Sequence, residues 1–286
     1  MVVGREPVIS GTRMVGTNKS LGQHWLKNRE ILDEIADLAR GDVEQKIRTC
    51  LEIGPGLGTL TAPLLKRFDK VIAVEYDERL AKNLPKSFPG TNLEVVNDDI
   101  LEYKWWDHMS GRFVVAGNIP YYITSPIIGR ILESDFRPVR AVLLMQKEVA
   151  ERVAGKKYSS PLSLLAEAKA EVKLGRVVKA EEFEPAPEVD SQIVVFEMRK
   201  KSLADAFKMT PLYYLAFEHP RKKLLNNLMA VGTRDEVVKL LNDAEIPLNA
   251  RPGNLSLDDY IRLSDAMDRE AEEGYRNGKY PYPSRF

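Results

Sequence analysis

A strand, a glycine turn, a helix and a second strand follow one another between residues 49 and 75, and this unit fixes the kind of sheet the chain can build. Thr49-Cys50-Leu51-Glu52-Ile53 is a short apolar run of strand character. Gly54-Pro55-Gly56-Leu57-Gly58 turns from it into a helix carrying Leu60, Leu64, Leu65 and Phe68, with Pro63 early enough to be tolerated. Val71-Ile72-Ala73-Val74-Glu75 is a second strand ending in an acid. Two strands joined through a helix lie parallel. Apolar runs of the same kind recur at 93–96 before Asn97-Asp98-Asp99, at 113–117 before Asn118, and at 141–145 before a helix from about Gln146. The pattern predicts an α/β fold on a parallel sheet. Its polar strand ends then share the carboxyl edge, where open α/β sheets hold their ligands.

The glycine spacing narrows the ligand. Glycines recur at every second position from Gly54, whereas the pyrophosphate-cradling pattern is G-x-G-x-x-G, and Thr59 stands where its third glycine would be. Close backbone approach beside helix N–H groups remains possible. Glu75 falls about 20 positions beyond the turn, the offset at which an acid takes up a ribose hydroxyl pair. An adenosine without a diphosphate satisfies both features, which points to S-adenosylmethionine. A nicotinamide dehydrogenase fits less well.

The chemistry is expected at Asn118-Ile119-Pro120-Tyr121-Tyr122, at the end of the strand over 113–117. An Asn side-chain oxygen and the carbonyl of Pro120, whose ring fixes φ, can offer two acceptors to one amino group, while Tyr121 offers an aromatic face. The exocyclic amine of a flat base fits that arrangement.

Elsewhere the chain reads as follows. Asn28 caps a helix with Ile31, Leu32, Ile35 and Leu38 on one face and Gly41 just past its end. A helix is expected over 161–170, then strands at Val177-Val178 and over 193–196. Between the two strands lies a long Pro-rich loop, Phe183-Glu184-Pro185-Ala186-Pro187-Glu188-Val189-Asp190-Ser191. Beyond Lys201 only helices are expected, with capping boxes at Thr233/Glu236 and Ser256/Asp259 and a basic stretch, Arg221-Lys222-Lys223, on one helix. The organisation is then a tail over 1–18, a sheet domain over 19–200, a helical domain over 201–268 and a tail over 269–286.

Composition excludes several classes. With 44% hydrophobic and 29% charged residues in 286, there is ample core, and no run approaches the roughly 18 apolar residues of a membrane span. No apolar signal-peptide core opens the chain. Cys50 is the only cysteine, which excludes an internal disulfide and suits a reducing, cytoplasmic setting, and three histidines with one cysteine assemble no metal-ligand set. The 42 basic and 42 acidic residues cancel, so any affinity for nucleic acid rests on local clusters such as Arg152, Lys156 and Lys157, or Arg221-Lys222-Lys223.

Taken together, the motifs resemble the ribosomal RNA adenine dimethyltransferases of the kasugamycin-resistance family. The matches are Leu21-Gly22-Gln23-His24-Trp25-Leu26, Glu52-Ile53-Gly54-Pro55-Gly56, Glu75, Asp99, Asn118-Ile119-Pro120-Tyr121, Leu144-Met145-Gln146-Lys147-Glu148-Val149, the Phe183 to Ser191 loop, Arg221-Lys222-Lys223 and Asn254-Leu255-Ser256. The family usually has Asn-Phe where this chain has His24-Trp25. The resemblance spans residues 19–267. It implies a Rossmann-like S-adenosylmethionine-dependent methyltransferase sheet with a small all-helical C-terminal domain. It also implies dimethylation of two adjacent adenosines in the 3′-terminal hairpin of small-subunit (16S) rRNA, in a partly assembled subunit, by a monomer. On that basis His24, Leu26, Gly54, Glu75, Asp99 and Asn118 contact the cofactor. Asn118 and Pro120 receive the amine, and Tyr121 and Phe183 stack on the flipped base. Two other readings stay open: a macrolide-resistance enzyme acting on large-subunit rRNA, and a ribosome-assembly factor that mainly binds.

Overall fold

The computed structural model describes residues 24–41, 47–109, 111–204 and 206–267, so the two tails and Leu21-Gly22-Gln23 lie outside the described residues. In chain order the first half runs β1 (Trp25–Leu26), α1 (Arg29–Arg40), β2 (Thr49–Ile53), α2 (Thr61–Leu65), β3 (Lys70–Glu75), α3 (Glu78–Ser87), β4 (Leu93–Asn97), β5 (Phe113–Asn118), α4 (Thr124–Glu133) and β6 (Arg140–Gln146). The second half runs α5 (Lys147–Val153), α6 (Pro161–Lys169), β7 (Ala170–Val178), β8 (Phe183–Glu184), β9 (Ser191–Met198), α7 (Ala206–Ala216), α8 (Leu224–Asn227), α9 (Arg234–Asp243) and α10 (Leu257–Ala266).

Seven strands form one sheet in the order β4-β3-β2-β5-β6-β9-β7. The first five are parallel, and β9 enters antiparallel between β6 and β7. The chain moves outward from β2 to β4 and then returns to lay β5 on the other side of β2. That reversal opens a crevice at the carboxyl ends of β2 and β5. Register lines up its walls: Ile53 pairs with Val74 and with Gly117, and Glu75 with Asn97.

The strands are apolar on both faces because both are covered. Leu51, Ile53, Ile72, Val74 and Val115 point into a core with Ile127 and Ile131 of α4 and Leu165 of α6. Cys50, Val71, Val114 and Ala116 point the opposite way, against Ile31 and Ile35 of α1 and Leu64 of α2. A third cluster unites α7 to α10 and draws Leu164 and Ala168 of α6 into it, so the helical region is built directly onto the sheet's helical layer. Among the described residues no helix is long and apolar enough to cross a membrane.

Three expectations need correction. The strand foreseen at Val177-Val178 begins at Ala170, because alternating Glu171, Lys173 and Arg176 are the solvent side of an edge strand rather than loop residues. Phe183 and Glu184 are not purely loop but pair with Leu26 and Trp25 across a two-stranded ribbon. Arg221-Lys222-Lys223 sits in a turn before α8, not on a helix: Lys222 N donates to His219 O at 2.9 Å beside Pro220, and Lys223 is the α8 N-cap. The capping boxes at Thr233/Glu236 and Ser256/Asp259 and the Asn28 cap are all formed.

One buried cation ties α1 to the sheet. Arg140, nearly inaccessible, donates from Nη1 to Leu38 O at 3.0 Å and sets Nη2 2.7 Å from Glu197 Oε1. The guanidinium lies over Gly41, whose φ is +38°, and a Cβ there would stand 1.6 Å from Nη1. Gly41→Ala therefore combines a left-handed backbone with displacement of a buried charge, and should cost about 2–4 kcal/mol of unfolding free energy in urea titration.

Candidate active site

The crevice holds a cavity of about 330 Å³ lined by residues from the ends of β2, β3, β4 and β5 and from the start of β1. Gly54, Pro55 and Gly56 supply its floor from the β2 turn. Glu75 and Tyr76 follow β3, Asp98 and Asp99 follow β4, and Asn118, Pro120, Tyr121 and Tyr122 follow β5. His24 and Trp25 close it from the amino-terminal side.

Hydrogen bonds fix these groups. Gly56, with φ +56°, donates its N–H to Glu75 Oε2 at 3.0 Å, and Asp77 N–H donates to Glu75 Oε1 at 2.9 Å. The glycine loop and the acid of the next strand are thereby locked together. Burial holds the Glu75 carboxyl above the usual carboxylate range, against the pull of those N–H donors. A side chain at position 56 would crowd Trp25, whose Nε1 lies 3.1 Å from where its Cβ would be. Asp99 Oδ1 accepts from Leu101 N–H at 2.9 Å, and Asp98 Oδ1 accepts from Asp99 N–H at 2.8 Å.

On the other side of the cavity, His24 organises the Asn118 stretch. Asn118 Nδ2 donates to the His24 carbonyl at 2.9 Å, which sets the rotation of the amide and keeps Oδ1 as its acceptor end. The His24 ring stacks on Tyr121 with centroids 5.6 Å apart and planes 21° from parallel. Its Nδ1 carries the proton, donated to Pro185 O at 2.8 Å, because a carbonyl only accepts. Tyr121 Oη and Ser191 Oγ share a hydrogen bond of 2.7 Å. The Pro120 carbonyl accepts from Ile123 N–H at 3.3 Å and Thr124 Oγ1 at 3.2 Å.

Of the residues singled out by sequence, His24, Gly54, Glu75, Asp99, Asn118, Pro120 and Tyr121 meet at this cavity. Leu26 and Phe183 do not line it. They are 0% and 2% exposed and packed together in the α1-side core, because the β1–β8 pairing turns both side chains inward. Neither presents a side chain to a ligand in this arrangement. Four residues at or beside the site, Trp25, Tyr76, Tyr122 and Ser191, carry no assigned role in the sequence-based expectation. The signals were present: an aromatic follows His24, another follows Glu75, a second tyrosine follows Tyr121, and Ser191 ends the Pro-rich loop.

The donor set suits S-adenosylmethionine. Glu75, Asp98 and Asp99 make the wall acidic, and among the described residues no Lys or Arg lines it. Such a wall favours a ligand bearing positive charge and repels phosphates. Glu75 and Asp99 offer acceptors to hydroxyls and amines, while Ile53, Val74, Ile100 and Ile119 offer apolar surface to a flat ring.

A further acid lies beneath the loop. Glu52, 1% exposed, buries its carboxyl beside the Thr61 hydroxyl. Burial pushes its pKa up to about 8, with Thr61 lowering and Glu75 raising it further. A folded pKa above the unfolded one gives stability that is complete below the unfolded value near 4.5 and is lost as pH rises toward 8. Between pH 5 and pH 8 this group alone should remove on the order of 3 kcal/mol. Glu52→Gln should abolish that part of the slope, so the difference in unfolding free energy between the two proteins widens with pH in denaturant titrations.

Comparisons with known proteins agree with this geometry. The family described as ribosomal RNA adenine dimethylase matches residues 14–269. The chain is 36% identical to ribosomal RNA small subunit methyltransferase A of Ligilactobacillus salivarius, over 87% of this chain and 89% of that one. It is also 36% identical to the protein of the same name from Fusobacterium nucleatum, over 86% and 95%. Among solved structures, a dimethyladenosine transferase from Plasmodium falciparum superposes with a TM-score of 0.69 at 29% identity, covering 83% of this chain and 95% of that chain. The 23S rRNA methyltransferase ErmE superposes with a TM-score of 0.68 at 28% identity, covering 86% and 100%. A switch-point cavity with an acidic wall and a tethered Asn-Ile-Pro-Tyr stretch, matched over most of its length, makes this chain a member of the ribosomal RNA adenine dimethylase family.

Proposed function

We propose that the chain dimethylates the exocyclic amines of two adjacent adenosines in the 3′-terminal hairpin of small-subunit rRNA, within a partly assembled subunit in the cytoplasm, and that it acts as a monomer. In this reading residues 19–200 carry the reaction and 201–268 hold the RNA. The observation that carries it is the Asn118 amide, tethered by His24 at the mouth of an acidic cavity. The curated relatives named above favour the small subunit. The fold alone does not discriminate, since a dimethyladenosine transferase and a 23S rRNA enzyme superpose about equally well.

In this reading S-adenosylmethionine would be held by Glu75 and Asp99 as acceptors for its hydroxyls and amine, by the backbone of Gly54 and Gly56, and by Trp25 and Tyr76 against its apolar surface. When bound, S-adenosylmethionine supplies an electrophilic methyl group. Asn118 Oδ1 accepts one N–H of the target amine and draws its lone pair out of conjugation with the ring. The Pro120 carbonyl is the weaker second acceptor, because it already takes two long hydrogen bonds. Tyr121 receives the flipped adenine on the face turned away from His24. No strong base is needed: the alkylated amine is a far stronger acid than its parent and sheds its proton to solvent. Positioning therefore carries most of the rate.

The test is methyl transfer from labelled S-adenosylmethionine to unmethylated small subunits, large subunits and free RNA in parallel, with the modified base mapped. Dimethyladenosine confined to the small-subunit 3′ hairpin is expected, and label in large-subunit rRNA would overturn the reading. Asn118→Ala should lower kcat about a hundredfold or more while cofactor affinity stays within a few-fold. Tyr121→Ala should cost roughly 1–3 kcal/mol in kcat/KM by loss of base stacking. An assembly defect rescued fully by Asn118→Ala would instead mark a mainly binding role.

A further inference from the structure

The loop between α5 and α6 presents a feature that the reaction does not use. Gly155, Lys156, Lys157 and Tyr158 are all exposed, and the Tyr158 ring, at 68%, is the most exposed large hydrophobic side chain among the described residues. Water normally drives such a ring inward, yet the backbone beside it is firmly anchored. Ser159 N–H donates to Gly253 O at 2.9 Å, and Ser159 Oγ donates to Leu255 O at 2.6 Å. Ser160 then opens α6 with a capping box to Ser163. Gly253 is close-packed under the loop, since a Cβ there would sit 3.4 Å from Tyr158 Cβ. A ring held outward on a fixed backbone is a preformed contact surface.

Its position and charge indicate the occupant. Strand β6 is parallel to β5, so α5 starts on the sheet edge that carries Asn118. Strand β7 also runs parallel to β6, through their shared neighbour β9, so α6 runs back from that same edge and the loop before it belongs there too. The turn receiving Ser159 is preceded by exposed Arg251, and Leu224 N–H donates to Ala250 O at 2.8 Å, bringing exposed Lys223 beside it. Lysines flank an outward aromatic on the active-site edge of a chain whose net charge is zero. Basic side chains interleaved with an exposed ring suit an unpaired polynucleotide strand, the cations meeting phosphates and the ring meeting a base. Nearby Glu151 tempers the patch, at 3.8 Å from Lys157 Nζ.

We propose that Lys156-Lys157-Tyr158 is a second grip on the RNA substrate, with Tyr158 stacking on an unpaired base outside the cavity and the lysines on its phosphates. The inference rests on the proposed small-subunit substrate. It is tested by steady-state methylation of unmethylated small subunits with wild type, Tyr158→Ala, Tyr158→Phe and the double variant Lys156→Ala/Lys157→Ala, alongside S-adenosylhomocysteine affinity by calorimetry and melting temperature. Tyr158→Ala should raise KM for subunits about tenfold with kcat within about twofold, and Tyr158→Phe should restore wild-type KM. The double lysine variant should raise KM and flatten its salt dependence by about one to two in log-log slope. Unchanged KM in Tyr158→Ala, with the wild type active on small subunits, would overturn the grip alone. A loss of kcat or melting temperature without a KM effect would assign Tyr158 a structural role and overturn it as well. A wild type inactive on small subunits would overturn the substrate reading and the grip together.

Discussion

The hydrogen bond from Asn118 Nδ2 to the His24 carbonyl is the contact on which the site depends. An amide at a strand end can rotate, and with either end turned inward it offers opposite chemistry. Tethering Nδ2 makes the oxygen the end left for substrate. His24 is itself held by Pro185 and stacked on Tyr121, and Tyr121 is held by Ser191. The Pro-rich loop between β8 and β9 therefore reaches the reacting group through two residues without lining the cavity. The antiparallel neighbours β7 and β9 are joined by a connection too long for a tight hairpin, and it carries β8 onto β1 before β9 returns to the sheet.

The cofactor side is built on a different principle. There the backbone of the glycine loop is bonded to the acid of the next strand, which joins the turn after β2 to the end of β3. Glu52 lies buried beneath this loop. An acid kept neutral by burial adds no charge next to Glu75, whereas an ionised one would set two like charges under the same loop. The acidic wall that suits a cationic cofactor is thus confined to groups that face the cavity.

Much of this was legible in the sequence. The βαβ unit over residues 49–75, the strand-end acids and the Asn118 stretch depend on local patterns of period and glycine placement, and each lands where those patterns put it. The family follows from motifs that stand in fixed order. What escaped depends on contacts distant in sequence. Phe183 reads as an exposed loop aromatic until β8 pairs with β1 and turns it into the core. Leu26 goes inward by the same pairing, which gives Trp25 the cavity wall. The full length of β7 was hidden by the charges of an edge strand, and Pro220 gave the only hint that the basic stretch is a turn.

The most direct test is a crystal structure with S-adenosylhomocysteine and a short RNA ending in unpaired adenosines. The adenine N6 is expected within hydrogen-bond distance of Asn118 Oδ1, with the ring on the open face of Tyr121 and the Asn118 Nδ2 to His24 bond intact. An adenine amine that meets neither Asn118 nor Pro120, or an Asn118 amide turned with its nitrogen toward the base, would contradict that expectation.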